Sequence, residues 1–277
     1  MAWTMHLAIY ELRSPLHIGY YKVGNVQRTR YYIPARALWG AVTEALTRRG
    51  FSAKGAPQGD YQAIGEWVKR HCAFGYWFVW ENEPLLPRYE ESGLKYGNLA
   101  VADFERRYLD THVTTALDPM TNSAQAGSLH EVEFIAPYNR DGARTRFGGW
   151  VFLNETARRE LDWSEWLRDL RVGGERRYGF GWMRLASFEE KQDAAWHLDE
   201  SRPRVQVEEK KPLEAHTVVH GVGAAGQIEP FVGRETRERS DRFGMALTQA
   251  EICWTPGSIL LSPTEFILTE KGIWRRA

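Results

Sequence analysis

Two segments carry side chains whose types and spacing could grip a polyanion. Residues 172–182 read Val-Gly-Gly-Glu-Arg-Arg-Tyr-Gly-Phe-Gly-Trp, setting Gly173, Gly174, Gly179 and Gly181 around Arg176, Arg177, Tyr178 and Phe180. Glycine tolerates positive φ and close backbone approach, so amides in such a loop can face phosphate oxygens. The two arginines add charge, and Tyr178 or Phe180 can stack on a base. The second segment, Gly19 to Tyr31, brings Lys22, Arg28 and Arg30, and Arg36 follows where a helical stripe begins. Each segment also has a plain structural explanation: a tight glycine turn bearing surface arginines, and a solvated loop. Tyr31 and Tyr32 suit packing as well as stacking, and Trp39 suits a core position on its helix.

Other chemistries find less support. Residues 19–31 contain no carboxylate, which leaves a hard divalent cation without an anionic ligand there. His17, His112 and His130 are acid–base candidates by residue type only. Gly221-Val-Gly-Ala-Ala-Gly226 matches a dinucleotide-binding spacing, but Pro230 and Gly233 interrupt the helix that such a site requires. His216 and His220 flank Thr217-Val-Val219, a strand-forming run that separates them by roughly 13 Å and excludes a shared metal. Cys72 and Cys253 have no metal-ligand spacing, and nothing motivates a disulfide between them. The expectation is no cofactor and no metal.

The elements that position these residues follow from periodicity. Met5 to Arg13 alternates as a strand ended by Ser14-Pro15, and 19–31 reads as a loop. Pro34 opens a helix with Ala37, Leu38, Ala41, Val42, Ala45 and Leu46 on one face, ending at Gly50. Residues 61–71 suit a short helix, 74–94 an irregular insertion, and 103–115 is ambiguous. Ser128 to Ile135 reads as a strand, with 147–153 as its hairpin partner. Asn154 caps a helix to about Leu170, facing Leu161, Trp166, Leu167 and Leu170 inward. A last strand runs from about Phe180 to Ser187. This β-α-β-β-α-β order is a ferredoxin-like, α+β plan over residues 1–187, with an insertion at about 51–127. An acidic linker or excursion (188–212) and a mainly β C-terminal part (213–277) follow, the latter carrying runs at 216–220, 258–261 and 265–268.

Three segments in this order resemble the RAMP superfamily of CRISPR-associated proteins. They are Ser14-Pro-Leu-His-Ile-Gly19, Tyr32-Ile-Pro-Ala-Arg-Ala-Leu-Trp-Gly-Ala41 and the glycine-rich loop 172–182. The family typically shows a PLHIG segment, an IPGSSLRGA-like helix start and a GGRRxxGFG-like loop. Ala35-Arg36 stands in place of the family's Gly-Ser, which weakens any contact assigned to that serine. Residues 115–133 look like the family's IDRxTGxAxxGxLxxxE hairpin, which intercalates with guide RNA in type III complexes; Asp118 falls within it and reads as structural. The resemblance covers about Met5 to Leu185.

The resemblance implies a structural subunit of a type III effector complex, partnered by CRISPR guide RNA and by other RAMP subunits. Target RNA is a further partner it allows. Members that slice RNA use an Asp in the loop after the first strand, so the carboxylate-free 19–31 segment implies no slicing. The alternative is a guide-processing endoribonuclease of the same superfamily, which uses a histidine near the glycine-rich loop.

Composition is compatible with this. Lys plus Arg equals Asp plus Glu at 36 each, so attraction to RNA has to be local. Seven cations between Met1 and Gly50 face only Glu11 and Glu44, whereas 187–214 is acidic. The 13% aromatic share is high; aromatics usually mean core, but a surplus also suits stacking surfaces for bases or protein partners. No apolar run approaches the roughly 20 residues that cross a bilayer, so no membrane partner and a cytoplasmic setting are expected.

Overall fold

The computed structural model describes residues 2–199, 202–235, 246–270 and 272–277. Strand β1 (Trp3–Leu12) is followed by a hairpin of β2 (Gly19–Val23) and β3 (Val26–Thr29), then by a short β4 (Tyr32–Ile33). Helix α1 (Ala35–Arg48) buries Leu38, Ala41, Val42, Ala45 and Leu46, the stripe its periodicity demands. Helix α2 (Tyr61–His71) lies against it and starts at Asp60, whose carboxylate accepts the Ala63 amide at 3.0 Å. Next come β5 (Cys72–Phe74), β6 (Trp77–Val79), β7 (Pro87–Glu90), β8 (Gly93–Tyr96), β9 (Leu99–Ala100) and α3 (Val101–Tyr108). Strands β10 (Leu109–Thr114), β11 (His130–Ile135) and β12 (Arg146–Asn154) lead into α4 (Glu155–Glu160) and α5 (Trp163–Trp166). Then β13 (Asp169–Arg171) and β14 (Trp182–Lys191) bracket the glycine-rich loop.

The architecture is mixed α/β and strand-rich. Its main sheet runs β13-β14-β1-β12-β6-β4, with β5 also on β12 and every neighbouring pair antiparallel. A second sheet runs β10-β11-β3-β2, its β11–β3 pair parallel.

This pairing corrects the expected hairpin between 128–135 and 147–153. β11 pairs with β10 and β3, while β12 pairs with β1 in the other sheet. The burial of the two strands explains the split. β11 keeps several half-exposed residues and fits a sheet with an open face, whereas β12 is buried at almost every position and needs cover on both faces. Three further corrections follow. The 19–31 segment is a hairpin and not a loop, because Gly24 takes φ +57° at the first position of its two-residue turn. The supposedly irregular 74–94 stretch holds β6, whose Trp77, Phe78 and Val79 are fully buried. The helix expected to reach Leu170 breaks after Glu160, since Asp162 caps a new turn by accepting the Glu165 amide at 3.1 Å.

The C-terminal part is built from β15 (Trp196–His197), β16 (Arg204–Val207), β17 (Thr217–Val218), β18 (Ala224–Ala225), β19 (Ile228–Phe231) and β20 (Arg234–Glu235). It continues through β21 (Ala246–Leu247), β22 (Glu251–Trp254), β23 (Ile259–Leu260), β24 (Thr264–Leu268) and β25 (Trp274–Arg276). Its largest sheet runs β15-β16-β24-β25-β17-β22-β19. Residues 188–212, read from sequence as a linker or excursion, thus contribute the end of β14 together with β15 and β16. The apolar core is continuous across both parts: Trp196 packs on Phe152 with ring centroids 4.6 Å apart.

Candidate nucleic-acid interface

A broad cleft of about 1850 Å³ opens between the β2–β3 hairpin, the start of α1, one side of α2, the beginning of the glycine-rich loop and residues 230–233. Lys22, Arg28, Arg30, Arg36, Gly173, Gly174 and Arg176 all line it. The structure therefore gathers residues that lie up to 154 positions apart (Lys22 to Arg176) on one concavity. The other candidates turn toward β10 and β11. Phe180 is buried edge-on against Phe134 at 5.4 Å, and the exposed Tyr178 lies 6.2 Å from His112. Gly179 and Arg177 are exposed beside them.

The glycine-rich loop is held down by its own amides. Gly174 N–H donates to the His17 carbonyl at 2.9 Å and Gly181 N–H to the Pro15 carbonyl at 2.7 Å. Gly179 N–H goes to Arg176 O at 3.0 Å. A Cβ on Gly173 would sit 2.3 Å from His17 O, and one on Gly181 would sit 2.0 Å from Val172 O; both residues have φ above +80°. Gly173 packs closely on His17 and Ile18 and Gly181 on Val172, while the Gly174 and Gly181 amides join the two motifs that lie farthest apart in the sequence. Arg176 folds back over the loop, its guanidinium donating to the carbonyls of Gly173 and Arg171 with Glu44 3.8 Å away. Arg177 forms no ion pair among the described residues.

His17 is buried, and its Nδ1–H donates to the Glu133 carbonyl at 2.7 Å. His112 is exposed on β10, and His130 shares a 2.7 Å hydrogen bond with the Thr114 hydroxyl. His216 is fully buried while His220 is exposed. Among the described residues no three His, Cys, Asp or Glu side chains come together as metal ligands. Cys72 and Cys253 are buried free thiols.

Two of the candidate arginines are neutralised by partners that sequence reading did not identify. Arg28 Nε lies 3.0 Å from the Glu133 carboxylate, which also accepts the Thr29 amide at 3.0 Å. Burial raises the Glu133 carboxyl despite that amide and the Arg28 charge. Arg30 is only 12% exposed and pairs with Glu229 at 2.7 Å, while donating to the Tyr32 hydroxyl at 2.9 Å. Glu229 in turn accepts from His216 Nε2–H at 2.6 Å, and His216 Nδ1 accepts from the Tyr76 hydroxyl at 2.8 Å. Burial alone would raise the Glu229 carboxyl, but the His216 hydrogen bond and the Arg30 charge outweigh it and bring it to about 2. Burial lowers His216, keeping the imidazole neutral with each ring nitrogen engaged. The cleft floor is thus a satisfied buried network. Lys22, exposed on β2, lines the same cleft without an ion pair among the described residues.

Beside the cleft, β10 and β11 extend into a projecting tip. Asp118 shapes it by accepting the Met120 amide at 2.8 Å, consistent with a structural role for that carboxylate. Leu117, Met120 and Leu129 are 62%, 91% and 53% exposed, so the tip presents apolar side chains to solvent.

A family model described as the RAMP superfamily matches residues 9–184. A solved structure of the type III-B Cmr-beta complex bound to cognate target RNA and AMPPnP contains a similar chain. That chain aligns with a TM-score of 0.57 at 13% identity, covering 92% of this chain and 85% of its own. Cmr-beta bound to cognate target RNA gives a TM-score of 0.56 at 13% identity, with 92% and 86% covered. Likeness at this identity establishes a shared fold over nearly the whole chain. No curated protein sequence matches.

Proposed function

Since the chain belongs to the RAMP superfamily, we propose that it is a structural subunit of a type III CRISPR effector that holds guide RNA in the cleft without cutting it. The observation that carries this reading is one open concavity, floored by the paired Arg28 and Arg30 and shaped by the glycine-rich loop, that presents Lys22, Tyr20 and Tyr21 beside a projecting apolar hairpin. Such a surface follows a sugar–phosphate backbone through charge and meets bases through exposed apolar and aromatic groups. Cmr-beta, an assembly with similarly folded chains, is bound to target RNA in those structures, which supports an RNA partner and neighbouring subunits here.

The sheet order also supports a ferredoxin-like core. β14-β1-β12-β5/β6, antiparallel throughout, is the arrangement a β-α-β-β-α-β chain makes, with residues 72–79 taking the second-strand place. The non-cleaving part rests on the β2–β3 hairpin, which offers no carboxylate to a metal. Guide processing through His17 is disfavoured because its ring is buried and tied to Glu133. No helix among the described residues is long and apolar enough to cross a membrane.

The test is binding and cleavage together. Purified protein should bind labelled single-stranded RNA with salt-dependent affinity and leave it intact on denaturing gels, with Mg²⁺, with Mn²⁺ or with chelator. Cutting that disappears when one of the chain's own residues is changed would overturn the non-cleaving assignment.

A further inference from the structure

Phosphate binding does not account for two exposed tyrosines in the cleft. On β2, Tyr20 and Tyr21 are 44% and 49% exposed. β2 is an edge strand, and its pairing jumps from Gly19↔Thr29 to Lys22↔Gln27, so these two residues oppose Arg28 alone. That is a β-bulge, a device that breaks strict alternation and re-aims side chains. Without it, neighbouring residues would point to opposite faces. With it, both rings line the cleft and meet edge-on with centroids 4.5 Å apart.

Tyr20 is also backed by a cation. The Arg30 guanidinium lies 4.2 Å from its ring centre, against one face. Arg30 is itself fixed by Glu229, behind which stand His216 and Tyr76. Burial and the neighbouring Glu229 carboxylate raise the Tyr20 hydroxyl to about 12, so it stays neutral. A flat ring braced from one side, close to half exposed and set in a cleft rimmed by cations, matches a base-stacking surface. The cation–π contact with Arg30 engages one face of the ring and still leaves the residue 44% exposed to a further partner. Lys22, two residues on, is an exposed cation lining the same cleft.

We propose that Tyr20 is a stacking platform for one nucleobase of a single strand lying in the cleft, with Tyr21 as its edge stop and Lys22 on the adjoining phosphate. The proposal rests on the RNA-binding reading above and names a contact within it. Stacking engages the π-face common to all bases, so the platform suits guides of any sequence.

Full-length protein can be titrated into single-stranded RNA carrying 2-aminopurine at successive positions, with anisotropy followed across a salt series. The parent should quench 2-aminopurine at defined positions, and Tyr20→Phe should bind within about twofold of it. Tyr20→Leu covers Arg30 without a ring; it should bind at least about fivefold more weakly, lose the quenching and keep the salt slope. Lys22→Ala should do the reverse, lowering the slope by about one and keeping the quenching. Circular dichroism checks each fold, and Tyr20→Met replaces the leucine variant if that fails to fold. Parent-like affinity in the ring-less variant, or quenching that survives in it, overturns the platform while leaving RNA binding intact. A parent that binds no RNA overturns both readings. Intact RNA affinity with lost association to a protein subunit would make the tyrosine pair a protein contact and overturn the platform.

Discussion

The glycine-rich loop and the β2–β3 hairpin both carry the features of a phosphate-binding segment, yet they use them in opposite ways. In the loop, the amides of Gly174 and Gly181 bond to backbone carbonyls of residues 15–17, and Arg176 caps the loop's own carbonyls. In the hairpin, Arg28 and Arg30 are engaged in ion pairs, but Tyr20, Tyr21 and Lys22 remain open to the cleft. One segment is a fastening that shapes the cleft, and the other presents chemistry to it. Glycines and arginines in a motif therefore need their hydrogen-bond partners identified before a ligand is assigned to them.

The contrast is broken or sharpened first at Gly181. A methyl group there meets Val172 O at 2.0 Å with φ at +82°, so Gly181→Ala should cost about 3 kcal/mol in denaturant unfolding. Gly179 has a similar φ but nothing within 4 Å of the added carbon, and its alanine variant should lose only about 1 kcal/mol. Equal losses would mean the loop is not packed as described.

Next in size is the pair under the hairpin. Glu229→Gln leaves the Arg30 charge buried without its counter-charge and should cost about 2–3 kcal/mol, measured by the shift in denaturant midpoint. Because the Glu229 carboxyl lies below its ordinary 4.5, its contribution is complete above that value and lost as pH falls toward about 2. His216 acts at milder pH. Its lowered pKa means the unfolded chain takes up a proton below about 6.5 that the folded chain resists, so stability falls as pH drops through that range. His6 and His71 are lowered too, and Glu214, raised to about 7, works in the opposite sense. The informative quantity is therefore the difference between variants. Between pH 7.5 and 5.5, the melting temperature of His216→Gln should fall less than that of the parent. A parallel pair of curves would remove His216 from the network's energetics.

The smallest effects separate the arginines of the loop. Arg177→Ala should lower RNA affinity a few-fold and reduce the salt slope by about one, whereas Arg176→Ala should leave the slope unchanged and cost about 1 kcal/mol of stability. Reversed behaviour would show that Arg176 leaves its carbonyls when RNA arrives.

Local signals made much of this legible in the sequence. β1, α1 and α2 follow from alternation, a helical stripe and the Asp60 cap, because each depends on residues within a few positions. The hairpin at 19–29 also has a local signal, Val23-Gly24-Asn25-Val26, which is easily obscured by the charged residues beside it. Pairing partners are another matter. Nothing near 130–135 specifies β3 as a neighbour, and nothing near Arg30 points to Glu229 or His216. The cleft's cations could be identified by type, but which of them are neutralised depends on contacts across the whole chain. Tyr20 escapes notice for a related reason: its orientation comes from a bulge, which alternation rules do not anticipate.

The Arg30–Glu229 bond joins residues 199 positions apart. At about 5–20 residues per second, a ribosome needs roughly 10–40 s to pass from one to the other. During that interval the hairpin exists without the carboxylate that neutralises its buried arginine, so Arg30 is a bare cation on an unfinished wall. Completion of the cleft is tied to late synthesis, and a nascent chain differs from the finished protein in charge as well as shape.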